Sequence, residues 1–183
     1  GLPVIGNNFT SSGASSGTVT VAKSGTLDNP TVGQKQALIS EFKYTTATEG
    51  GNVKRITMIN GGTVKYSDLT NVKIKAGEKE WSGTSTAKGY LVFDLGSGLF
   101  IAKGSNAIFK VYADIGGKKD ETIDLYFEYD TDTHVIGDQY GHAMAVTDTA
   151  LDAGSDITDL TLKGGALTLV FSGPNAKTIP TQI

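Results

Sequence analysis

Apolar residues recur at every second position through most of this chain, in runs separated by glycine-rich breaks. That period of two predicts strands rather than helices. The plainest run is 106–115, where Ala107, Phe109, Val111, Ala113 and Ile115 fall on one face and Ile108, Lys110, Tyr112 and Asp114 on the other. Lys110 and Asp114 are expected in solvent, because charged side chains are rarely buried without partners. After the turn-forming Gly116-Gly117-Lys118-Lys119-Asp120, residues 122–129 align Ile123, Leu125, Phe127 and Tyr129, which predicts a hairpin between the two runs. Further strands are expected at 36–46, centred on Leu38, Ser40, Phe42 and Tyr44, and at 52–59, 69–76, 90–95, 143–147, 157–162 and 166–171. Gly-Gly pairs at 50–51 and 61–62 punctuate them. The expected fold is all-β, an antiparallel β-sandwich of immunoglobulin-like or jelly-roll-like type. A sandwich is preferred to a barrel because two facing sheets bury one-sided strands without needing a ligand cavity. The single Trp81, in the loop-like stretch 77–83, is expected to cap one end of the core.

The two ends of the chain nearly repeat. Gly17-Thr-Val-Thr-Val-Ala-Lys-Ser-Gly25 aligns without a gap to Gly165-Ala-Leu-Thr-Leu-Val-Phe-Ser-Gly173, and both read as one half-buried strand. Ahead of the first copy, residues 1–16 join an apolar tip, Leu2-Pro3-Val4-Ile5, to a Gly/Ser stretch with the composition of a linker. The expected organisation is an arm over 1–16 and one β-sandwich domain over 17–183. A strand pattern at each end of one domain suggests a unit that joins copies of itself by strand addition. A donated strand satisfies the N–H and C=O groups of an open sheet edge and buries its alternate side chains. The plugs would be Val19 and Val21, or Leu167 and Leu169, with Leu2, Val4 and Ile5 docking further along.

A length of 183 residues suits one good core. The net charge of −3 is spread over interleaved lysines and acids, so no basic footprint points to nucleic acid. No apolar stretch approaches the roughly 20 residues of a membrane span, so no membrane insertion is expected. Cysteine is absent, which removes disulfides and thiol chemistry. The chain opens at Gly1 rather than Met, as a processed secreted chain or an excised fragment would; processing is preferred, and an extracellular or cell-surface location is expected.

The order of strand motifs resembles a family. Phe42-Lys-Tyr-Thr-Thr-Ala-Thr-Glu49, Val53-Lys-Arg-Ile-Thr-Met58, Leu69-Thr-Asn-Val-Lys-Ile-Lys75, Phe93-Asp-Leu95, Phe100-Ile-Ala-Lys-Gly104 and Phe109-Lys-Val-Tyr-Ala-Asp-Ile115 together resemble the immunoglobulin-like repeats of prokaryotic surface and filament proteins. The resemblance covers about residues 18–183 and is one of pattern. It implies modules of cell-wall, surface-layer or filament proteins. The arm and the acidic stretch from Glu128 to Asp159 depart from the pattern.

Candidate chemistry is sparse. If a strand persisted through Glu128-Tyr-Asp-Thr-Asp-Thr-His134, its alternation would place Glu128, Asp130 and Asp132 on one face as oxygen ligands for calcium, with His134 beside them. Asp-x-Asp is also common at exposed strand ends and EF-hand spacing is absent, so the solvated reading is preferred and no cofactor is expected. His134 and His142 are the only histidines, and no nucleophile motif or phosphate-binding glycine loop accompanies them. Asp124, Glu128 and Asp130 offer carboxylate pairs, as any chain with 19 acids does. The chain is therefore expected not to be an enzyme. The leading expectation is a structural subunit of an extracellular filament or array, a homopolymer built by strand donation. The second is a carbohydrate- or calcium-binding adhesive module using Trp81, Tyr140 and the acidic stretch.

Overall fold

The computed structural model describes residues 16–86, 88–148, 159–165 and 173. Among these the strands are β1 (Thr18–Lys23), β2 (Ala37–Ala47), β3 (Gly51–Asn60), β4 (Leu69–Ala76), β5 (Lys79–Ser85), β6 (Tyr90–Ile101), β7 (Asn106–Ile115), β8 (Thr122–Ile123), β9 (Leu125–Tyr126), β10 (Thr133–Gly137), β11 (Ala145–Asp148) and β12 (Leu160–Thr161). The only helical pieces among the described residues are two short 3-10 turns, Tyr66–Asp68 and Asp130–Asp132. The fold is all-β, as the alternation predicts.

One long sheet runs β10-β3-β6-β5-β4-β7-β2-β1-β11, with β9 also on β3, while β8 pairs with β12. The sheet curls into two facing layers that share β5. Residues 79–82 of β5 pair with β4, and residues 83–85 pair with β6. The sheet is mixed rather than purely antiparallel, because β11 lies parallel to β1.

The core fills the space inside the curl. From one layer come Phe42 and Tyr44 of β2 and Phe109 and Val111 of β7; from the other come Ile56 and Met58 of β3 and Leu91 and Phe93 of β6, all fully buried. Phe42 stacks on Phe109 at 5.6 Å between ring centres and meets Phe127 edge-on at 5.5 Å. The Tyr44 hydroxyl crosses between the layers to the Thr133 hydroxyl at 2.7 Å, so the one polar end of this aromatic group is satisfied inside the core.

Several expectations are corrected. The hairpin between 106–115 and 122–129 does not form, because β2 and β4 occupy the two edges of β7. Residues 122–126 pair instead with β12 and β3. Ile123, Leu125 and Phe127 are buried as expected, but Tyr129 is 61% exposed. Trp81 lies in β5 rather than a loop, half-buried against the core. In β2 a bulge between Leu38 and Ser40 shifts the phase, so Ala37 and Ile39 point inward before Phe42 and Tyr44 do.

Asp114 is buried rather than solvated, only 6% exposed. Its carboxylate accepts the Gln36 backbone N–H at 2.8 Å and the Asn71 amide at 2.8 Å, and Lys35 stands 3.2 Å away. Gln36 and Asn71 both have left-handed backbone, each with φ of 49°. Asp114 on β7 thus secures the strained entry to β2 on one side and the bulge of β4 on the other. The Asn71 amide, the Gln36 N–H and the other donors outweigh burial and hold its carboxyl well below the usual carboxylate range. Lys110 is partly exposed and pairs with Glu41 at 3.3 Å.

Two substitutions test this core. Phe109→Ala removes the stacked ring and should cost about 3–5 kcal/mol of unfolding free energy. Tyr44→Phe leaves the Thr133 hydroxyl without its interlayer partner and should cost about 1–3 kcal/mol. Both are read by denaturant unfolding.

Candidate functional site

The two ends of the long sheet, β10 and β11, come back to face each other. At their upper end the chain closes the gap itself. Met144 N–H donates to the Val135 carbonyl at 2.9 Å, Gly137 N–H donates to the His142 carbonyl at 2.9 Å, and Ile136 bridges to Ala143. The chain then leaves β10 and lies along β1, with Ala145 N–H donating to the Gly17 carbonyl at 3.0 Å. Below that divergence the ends separate around a groove of about 380 Å³. Arg55, Asp130, Thr131, Thr133 and His134 line one wall, and Ala143 to Val146 line the other. In a strand successive residues alternate, so with Ala145 bonded toward β1, the N–H and C=O of Val146 point toward the groove. The Val146 side chain is half-buried against the core.

Glu49 pins the upper end of this seam. It sits between β2 and β3 and is 3% exposed. Its carboxylate accepts the N–H of Gly17, where β1 begins, at 2.9 Å, and the N–H of Gln139, in the turn after β10, at 2.9 Å. Burial alone would raise its pKa, but the backbone donors of Gln139, Gly17 and Tyr140, with the charge of His142, together hold it below its ordinary value of 4.5. Close packing here requires glycine at two positions. A Cβ at Gly17 would lie 2.5 Å from Glu49 Cγ, and one at Gly137 would lie 2.5 Å from the Glu49 carboxylate.

The expected assembly residues fall into two groups. Val19 and Val21 are completely buried in this chain's own core, and β1 is hydrogen-bonded on both sides, to β2 and to β11. β1 thus fills an interior place in its own sheet, and lending it to a sibling would first require drawing it out. Leu2, Val4, Ile5, Leu167 and Leu169 lie outside the described residues.

The acidic stretch does not continue as a strand, so the shared face expected for Glu128, Asp130 and Asp132 is corrected. Asp132 turns back and accepts the backbone N–H groups of Glu128 and Tyr129, both at 3.0 Å, and the chain makes a 3-10 turn. A short acidic side chain has here outcompeted a neighbouring strand for the backbone donors. Glu128 accepts the Tyr90 hydroxyl, which, with burial and the nearby acids, pushes that phenol up to about 12. Asp130 lines the groove wall with the exposed His134. Among the described residues no three His, Cys, Asp or Glu side chains are grouped to hold a metal.

Sequence reasoning missed Glu49, Arg55 and Met144. The only signal for Glu49 is its place between a strand end and the Gly50-Gly51 pair. No protein-family model and no curated protein sequence matches the chain.

The seam makes stability depend on acid pH. A carboxylate whose folded pKa is depressed stabilises the fold fully above its unfolded value and loses that contribution as pH falls through the folded value. The melting temperature should therefore drop as pH is lowered below about 4.5. Glu49→Gln should flatten part of that drop, and Asp114→Asn a further part extending to lower pH. Thermal melts between neutral pH and the acid limit of folding check both.

Proposed function

We propose that this chain is a structural subunit of an extracellular filament or surface array, whose copies join by adding a β-segment to the seam between β10 and β11. One observation carries the reading: among the described residues the curled sheet stops short of closing, leaving two strand ends facing each other across a groove with apolar side chains at its base. An added segment would meet backbone donors and acceptors on its way into a slot that is already shaped. Because β1 is committed to its own sheet, the donor comes from elsewhere in a sibling. The arm with Leu2, Val4 and Ile5 and the run with Leu167 and Leu169 are the two segments with a suitable pattern. The resemblance to surface-protein repeats points toward the same setting, and the seam needs no reacting group.

A second reading rests on an adjoining depression that shares Arg55 with the groove. Arg55, Thr57, Lys88, Tyr90, Tyr129 and Asp132 surround an open depression of about 580 Å³ over β3 and β6. Tyr129 is a ring available for stacking on a sugar, and Arg55 and Asp132 could address its hydroxyls. Calorimetric titration with common glycans tests it, and Tyr129→Ala should abolish any saturable heat.

For the first reading, sedimentation velocity and electron microscopy on the purified chain over a range of concentrations should show concentration-dependent polymers. Val146→Pro removes an N–H that faces the groove and none that holds β11 to β1, so it should weaken association at least tenfold while the fold melts cooperatively. Leu167→Asp with Leu169→Asp, compared with Val4→Asp with Ile5→Asp, identifies the donor. Polymers unaffected by all of these changes overturn strand addition at the seam.

A further inference from the structure

The curl has a second opening, at the end of the molecule where β1 begins. β5 crosses from one layer to the other after Ser82, so its first half stays with β4 and only residues 83–85 reach β6. From Asp94 to Ile101, β6 therefore has no partner on its β5 side among the described residues, while on its other side Asp94 and Leu99–Ile101 pair with β3 and residues 95–98 fall in a break of the register. A cleft of about 420 Å³ lies along this unpaired stretch. Leu99, Phe100, Ile101, Ala107 and Ile108 line it, with Ala76 at its rim and no charged residue in its wall. Phe100 is 54% and Ile108 41% exposed, and these are the two large exposed hydrophobic side chains of the described residues that lack a polar end. An open strand edge beside exposed apolar side chains is the surface that proteins normally cover.

We infer that this cleft receives the arm tip Leu2-Pro3-Val4-Ile5 of a second copy, an inference that rests on the strand-addition reading and gives the arm its own place in it. The arm carries no charged side chain over residues 1–16, which matches the uncharged wall. Pro3 lacks an N–H, which suits a strand laid on a sheet edge with that side turned to solvent. Chain length selects the sibling. Gly17 leaves the sheet at the same end as the cleft: its N–H is held by Glu49, and a Cβ on the adjacent Gly50 would stand 2.9 Å from the Phe100 ring. Ser105, in the cleft wall, accepts the N–H of Thr46 from the strand paired with β1. A few residues would bring an arm back to its own cleft, yet the twelve residue-to-residue steps from Ile5 to Gly17 can span about 40 Å when extended. That surplus is what a link to a neighbour requires.

The absence of cysteine allows a direct test on the full chain. Three single variants, Ile5→Cys, Phe100→Cys and Val146→Cys, are prepared with distinguishable tags, mixed in pairs under mild oxidation and run on non-reducing gels. A disulfide needs Cβ atoms within about 4.5 Å, so it reports docking rather than encounter. Ile5→Cys should link to Phe100→Cys between chains, at least tenfold above a Lys118→Cys control on an exposed turn. The Ile5→Cys/Phe100→Cys double variant should give an interchain ladder. A link to Val146→Cys instead overturns the cleft assignment and leaves strand addition at the seam standing. A double variant that closes only within one chain assigns the tip to its own cleft and overturns the sibling. No link in any pair, with no polymers from the unmodified chain, overturns both.

Discussion

A β-sheet ladder satisfies backbone groups only along strands, and a curled sheet whose ends return to each other must satisfy them at a corner as well. Here the corner is held by one buried side chain. The two oxygens of Glu49 take N–H groups from the start of β1 and from the turn that follows β10, segments far apart in sequence, one from the first strand of the sheet order and the other from the last but one. Remove that carboxylate and the donors at the corner lose their acceptor in a place water does not freely reach, where an unmet hydrogen bond is costly. The curl and the groove below it both depend on this junction.

Asp114 does the same work at the middle of the first layer. β7 is the strand between β2 and β4, and both neighbours carry a residue with left-handed backbone beside it. A lone acid in that position would be expelled to water. An acid that receives donors from both neighbours instead makes two backbone irregularities tolerable at once. The two carboxylates share a logic: each is ionised because the backbone around it is irregular, and the backbone is stable in that form because the acid is ionised.

Local pattern was legible in the sequence and long-range pairing was not. The apolar face of β7 from Phe109 to Ile115 and the bounds of β4 follow from alternation alone. The partner of β7 does not, because adjacency in sequence favours a hairpin to residue 122 while β2 and β4 offer longer ladders from further away. β5 was illegible because Lys79-Glu-Trp-Ser-Gly-Thr-Ser85 crosses between layers with most of its side chains in water, so it has no apolar face to betray it. The turn at 130–132 was missed because alternation says nothing of Asp132 folding back onto Glu128 and Tyr129. Of the candidate site, nothing in the alternation marked the groove, which exists only where distant strand ends meet.

The placement of β1 constrains how any assembly must work. A strand hydrogen-bonded on both sides, with two valines wholly inside the core, cannot be exchanged without opening the sheet at its corner and losing the contacts that Glu49 organises. By sequence, residues 1–16 have no charged side chain and include the apolar run Leu2-Pro3-Val4-Ile5, and they lead into the pinned corner at Gly17. Fixing the base of an arm at a rigid junction lowers the entropy lost when its tip docks, because the tether already restricts where the tip can go. The same carboxylate that closes the curl also fixes Gly17, the point from which any chain preceding β1 must set out.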